Sequence, residues 1–201
     1  MRQDRTNEIK ILPATAEHWA DIEKFFADQA CWCQYWRMSA SEYGRYAKGP
    51  AWEKQVQLRT ERLRHQVGNS PPPGMLAYLG PQMVGWCGFG PRQNMQRLER
   101  SRTIPRIDDR PVWSIVCFFI RPGFRRRGIA RRLLQGVVKY AQQSGVAGLE
   151  AYPVEHQGKR INANSAYVGT VSMFQVEGFR KVTESDARTA GLARWVMRLD
   201  F

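Results

Sequence analysis

Val112-Trp113-Ser114-Ile115-Val116-Cys117-Phe118-Phe119-Ile120 is an apolar run, and Arg121-Pro122-Gly123-Phe124-Arg125-Arg126-Arg127-Gly128-Ile129-Ala130 follows it directly. The run is rich in β-branched and aromatic residues. Pro111 bounds it on one side and Arg121-Pro122-Gly123 on the other, which favours a buried strand over a helix. Beyond the arginines, Ile129, Leu133, Val137 and Ala141 recur every four residues, with Ala130, Leu134 and Val138 alongside. Arg131, Arg132, Lys139 and Gln143 fall on other faces, so this is an amphipathic helix that ends at Gly145. Gly128 and Ala130 leave room for a ligand to approach the backbone at the first helical turn. The free amide hydrogens and the positive helix end point into that space. A turn of this kind binds anionic phosphate groups, and Arg125, Arg126, Arg127 and Arg131 add charge around it.

Working outward, residues 8–12 read as a first strand closed by Pro13. Thr15 is placed to cap a helix whose apolar stripe is Trp19, Ile22, Phe25 and Phe26. Residues 39–47 form a short helix, and 52–67 a longer, highly charged one read as a solvated face. Gly68 and Pro71-Pro72-Pro73-Gly74 break the chain. Residues 75–79 and 82–89 are two strands joined by Gly80-Pro81, an antiparallel hairpin. Residues 92–110 read as a polar surface connection with a helical turn. Residues 148–154 are a strand, 165–177 a helix ended by Gly178, and 194–200 a last strand. The order predicts an α+β (mixed α/β) fold with one sheet and helices on both faces.

Length and balance set the outer limits. The 201 residues are 43% hydrophobic and 24% charged, an ordinary globular composition in which one domain spanning 1–201 has room for a core. Residues 1–10 carry no apolar signal region, and the longest apolar stretch, 112–120, is too short to span a bilayer. A cytoplasmic protein without a membrane partner is therefore expected. Cys31, Cys33, Cys87 and Cys117 do not form a disulfide framework. Cys31-x-Cys33 lacks a second ligand pair, so no metal is assigned. Lys and Arg total 31 against 18 Asp and Glu, a net +13 that suits nucleic acid, an anionic surface or a polyphosphorylated small molecule. Nucleic acid is set aside because no zinc finger, helix-turn-helix or aromatic RNA platform accompanies the charge.

The segment 112–134 resembles the acyl-CoA-binding segment of the GNAT superfamily of N-acyltransferases. The resemblance lies in Arg125, Gly128 and Ala130, which meet the pattern Arg or Gln, two residues, Gly, one residue, Gly or Ala. Met173-Phe174-Gln175-Val176-Glu177-Gly178-Phe179 is similar to the end of the superfamily's last helix and its Gly-Phe. The resemblance implies a single twisted mixed sheet of about six or seven strands. It further implies residues 1–74 as an acceptor-side region and 75–201 as a cofactor-binding core. The expected co-substrate is acetyl-CoA, and the expected partner is a primary amine of a small molecule or peptide, with a homodimer left open. Phe118, Phe119 and Ile120 would meet the pantetheine arm, and Arg125 to Arg131, with Gly128, Ile129 and Ala130 among them, the phosphates. The strand is expected to carry a bulge and to part from its neighbour, opening the slot.

Catalytic groups are harder to place. Many members of the superfamily carry a tyrosine as presumed acid four residues before the helix-ending glycine, and here that position is Phe174. Without that acid, a binding module that holds the cofactor and does not turn over is the competing reading. Tyr167, Ser172 or a water could replace the acid, or the thiolate could leave without one. Glu150 is the candidate base if it is buried beside the slot, or an ordinary strand residue paired to an arginine if it is not. His156 is a weaker alternative. Trp32, Tyr35 and Trp36 either line an acceptor pocket or cover the core.

Overall fold

The computed structural model describes residues 8–44, 50–159, 161–162 and 165–201. The apolar run becomes β4 (Trp113–Ile120), with the amphipathic helix α5 (Ile129–Gln143) after it. Before them come β1 (Ile9–Pro13), α1 (Trp19–Phe26), α2 (Ala40–Gly44), α3 (Pro50–Val67), β2 (Gly74–Leu79), β3 (Gln82–Pro91) and α4 (Gln96–Glu99). After them come β5 (Gly148–Ala151), α6 (Val171–Val176), β6 (Arg180–Thr189) and β7 (Leu192–Asp200). The strands form one seven-stranded sheet in the order β1-β2-β3-β4-β5-β7-β6. Only β4 and β5 run parallel among these neighbours.

Each face of the sheet is covered by a different set of residues. Leu133, Leu134, Val137 and Ala141 of α5 bury completely against Val84, Phe89, Leu149 and Met197, with Phe174 of α6 in the same cluster. On the other face, Ile22, Phe25 and Phe26 of α1 pack with Trp32, Leu63 and Trp86. A third cluster gathers Trp36, Met95, Leu98, Val116, Tyr152 and Val196. The charged helix α3 is not simply a solvated face. Gln55, Arg59, Leu63 and Val67 recur every four residues as a buried stripe, half of it polar and so invisible to a hydropathy reading. Arg59 satisfies itself on the carbonyls of Ala30 and Tyr43 and lies 4.1 Å above the Tyr43 ring.

Three other expectations need correction. Thr15 starts a 3-10 turn and bonds the His18 ring rather than a backbone amide. The expected helix 165–177 is two pieces, a 3-10 turn at Ala166–Val168 and then α6. Gly169 at φ 77° turns the chain between them, and the Thr170 side chain caps Met173. The strand β6 went unread because its exposed, charge-rich sequence has no apolar face of its own. Of the expected helix 39–47, residues 40–44 form α2 and 45–49 lie outside the described residues.

The segment after α1 is pinned to the sheet at Cys33, where Trp32 and Cys33 both take left-handed backbone angles (φ 47° and 54°). A Cβ at Gly88 would clash with Cys33 Sγ. Gly88→Ala is therefore expected to cost about 1–3 kcal/mol, read by urea denaturation, and Cys33→Ala should recover much of that loss. Strictly additive effects of the two changes would contradict the contact.

Candidate active site

The sheet opens where β4 and β5 separate. Trp113, Ser114 and Ile115 pair with Leu149, Glu150 and Ala151, and the parallel ladder stops there. From Val116 on, β4 pairs with β3 only, while the chain after β5 turns to bridge Val154 with Thr170 and Arg194. The cause is local. In the β3–β4 register Cys117 faces Gly88 and Ile115 faces Phe89, so Val116 is an extra residue, a bulge that re-aims the strand. The bulge puts Val116 and Cys117 on one face and returns Phe118 to the other.

The opening leads into a cleft of about 920 Å³. Its walls include Phe118, Phe119 and Ile120 of β4, then Arg125, Arg126, Gly128, Ile129, Ala130 and Arg131. Ala166 and Met173 close the opposite side. Gly128 is the N-cap of α5 at φ 76°, Arg126 is also left-handed at φ 60°, and nothing lies within 4 Å of a Cβ built at Gly128. The amides of the first helical turn thus face open space beside two exposed guanidinium groups. Arg125 donates back to the Ile120 carbonyl, which ties the turn to the end of β4. Arg131 is partly engaged with Glu177. Arg127 is the one side chain of the expected set that does not line the cleft. Its guanidinium lies 5.5 Å over the Phe124 ring.

The expected catalytic groups fall in two places. Glu150 is buried (1% exposed), as a base in the slot would be, yet it is paired on both oxygens. Arg198 donates to one oxygen, and Arg92 (3.3 Å) and the Tyr152 hydroxyl (2.9 Å) donate to the other. Arg198 is held in turn by Asp108, and Tyr152 meets Ser114 at 2.8 Å. Neither sequence alternative was right in full, since the carboxylate is both buried and paired, and it does not line the cleft. Tyr167 lies in the 3-10 turn beside Ala166, half-buried, on a different element from Phe174. Desolvation pushes its phenol above the ordinary value, while Arg194 nearby pulls it down. Phe174 is fully buried, edge-on to Phe118 and Phe179. Ser172 is exposed on Thr170, and His156 meets the Lys159 carbonyl in its loop.

Trp32 packs between Trp19 and Phe26 in the core, so it covers rather than lines. Trp36 is buried with Arg194 5.6 Å above its ring, and only Tyr35 of the three stays half-exposed. Sequence reasoning missed Cys117 and Arg194 here. A hydrogen bond from Cys117 and the nearby Arg37 pull the Cys33 thiol down to about 6 against its burial. Among the described residues no group of three or more His, Cys, Asp or Glu side chains is placed to hold a metal ion.

The profile of the acetyltransferase (GNAT) family matches residues 32–162, a span that includes the split strand and the whole of α5. The chain belongs to that family. Solved structures agree on the fold across 96% of the chain. They include a ribosomal-protein-alanine N-acetyltransferase from Brucella melitensis (19% identity, TM-score 0.54, 99% of that chain). A Drosophila melanogaster polyamine N-acetyltransferase (12%, 0.58, 100%) is similar, as is a Salmonella typhimurium acetyltransferase solved with acetyl-CoA (16%, 0.51, 94%). A comparison with curated protein sequences found no match.

Gly128→Glu is expected to abolish CoA binding by calorimetry, since bulk and negative charge enter the space at the helix end. The fold should survive, at a cost of about 1 kcal/mol for a left-handed non-glycine residue. Binding retained in a folded Gly128→Glu protein would remove the phosphate site from this turn.

Proposed function

We propose that this GNAT acetyltransferase moves an acetyl group from acetyl-CoA to a primary amine of a small molecule or peptide, by direct attack with both substrates bound. The observation that carries the reading is the continuous path from the unpaired half of β4 to the open amides at Gly128. The backbone of 116–120, free on its β5 side, matches the needs of a pantetheine amide chain. Arg125, Arg126 and the first-turn amides of α5 suit the phosphates. Holding both reactants in one cleft removes much of the entropic barrier to amine attack.

Tyr167 is the group we assign as acid. It sits beside the slot, and desolvation keeps it protonated at neutral pH, as a donor to a departing thiolate must be. Glu150 we assign a positioning role: its ion pairs fix Arg92, Arg198 and Tyr152 at the base of the split. Residues 1–74 would supply the acceptor side, with Tyr35 its half-exposed aromatic, and 75–201 the cofactor side of a single domain. Four free cysteines suit the cytoplasm. Among the described residues no helix is long and apolar enough to cross a membrane.

The test is acetyl-CoA-dependent thiol release over a panel of amines. Tyr167→Phe should lower kcat on the order of 10²-fold with KM for acetyl-CoA unchanged. An unaltered kcat would return the acid to water, and no thiol release with any amine would favour a binding module without turnover.

A further inference from the structure

The arginines on the acceptor face of the sheet divide into two groups. Arg92 and Arg198 are neutralised by Glu99, Glu150 and Asp108. Arg37 and Arg59 have no carboxylate among the described residues, but each donates to two carbonyl oxygens, which accounts for their positions. Arg194 fits neither group. It is 4% exposed and its Nε donates to the Tyr152 carbonyl at 2.9 Å, yet its Nη2 has no hydrogen-bond partner among the described residues. No described carboxylate lies within ion-pair distance of it; its titratable neighbours are Tyr167, whose hydroxyl its guanidinium approaches as a hydrogen-bond donor, Tyr152 and Tyr35. Outside the described residues the sequence holds one carboxylate, Asp4 near the N-terminus; residues 45–49, 160, 163 and 164 include no Asp or Glu.

A guanidinium cannot shed its proton to escape burial, so an uncompensated one is costly unless a ligand supplies the charge. Arg194 does not line the cleft itself but neighbours Tyr167, which follows the cleft-lining Ala166. Val154, beyond the end of β5, bridges both Arg194 and Thr170. A second guanidinium flanks the same place: Arg97 lies 4.2 Å over the Tyr35 ring and 5.3 Å over that of Tyr43, with its Nε also unpartnered among the described residues. We propose that Arg194, assisted by Arg97, binds a carboxylate on the acceptor, so that the substrate is an amine bearing a carboxylate, as in an amino acid, and not a polyamine. The proposal rests on the amine-acetylation reading above and specifies its acceptor. A carboxylate takes the free edge of a planar guanidinium through charge-assisted hydrogen bonds, and the aromatic rings around it exclude competing water.

The test is thiol release from acetyl-CoA by the full chain with the twenty standard L-amino acids, the primary amide of each one that reacts, putrescine, and O-phosphoethanolamine. At least one amino acid should be used with kcat/KM tenfold or more above that of its amide and of putrescine. Arg194→Gln should raise KM for that amino acid at least tenfold while leaving KM for its amide and for acetyl-CoA unchanged. Because the wild-type comparison of acid and amide needs no variant, a misfolded Arg194→Gln protein does not shield the proposal. Equal use of acid and amide, or preference for putrescine, overturns the carboxylate site and leaves the acetyltransferase standing. Preference for O-phosphoethanolamine overturns it in favour of phosphate. No thiol release from any amine overturns both.

Discussion

The parting of β4 from β5 after three residue pairs is the constraint on which the rest of the structure depends. Backbone groups in a sheet are obligatory hydrogen bonders, and here half a central strand lacks its second partner. Two features keep the split open. The bulge at Val116 turns the strand, and the 3-10 turn at Ala166–Val168, with Gly169 beside Phe118, occupies the place where a continued β5 would have run. The core on the α5 side stays buried up to this point, so the opening is local.

The electrostatics follow the same division. Beneath the base of the split, the buried Glu150, Arg92 and Arg198 form a network that the exposed Asp108 completes from the surface, so that each charge is met by another. Such a network is costly to break at one partner and adds little net stability when complete, which suits a role in fixing position. Toward the slot the compensation ends. Arg125 and Arg126 stand exposed around the α5 terminus, and Arg194 is buried without a counterion among the described residues.

How much of this could be read in the sequence depended on whether one local rule governed the element. The strand at 112–120, the arginine turn, Gly128 and the four-residue period of α5 are local signals, and each reappears in place. The β2–β3 hairpin is equally plain from Gly80-Pro81. Tertiary partners decided what was missed. The charges of β6 hide an edge strand, and the stripe of α3 buries Arg59 because the Ala30 and Tyr43 carbonyls and the Tyr43 ring across the gap satisfy it. For Glu150 burial and an arginine partner were each legible, but as alternatives; that both hold at once depends on Arg92 and Arg198, which come from residues far along the chain. Tyr167 was placed on the wrong element, because Gly169 ends a turn there instead of sitting inside a helix. Arg194 left no sequence signal at all.

The most direct measurement is a thermal shift of the purified protein with acetyl-CoA, CoA and ATP at matched ionic strength. A ligand present at a hundredfold excess over its Kd stabilises the folded state by about 3 kcal/mol. Stabilisation of that order by acetyl-CoA and CoA, well beyond that by ATP, is the result expected if β4 receives the pantetheine arm and α5 the phosphates. Equal shifts with all three, or none, would contradict it and reduce the turn at Gly128 to a general anion patch.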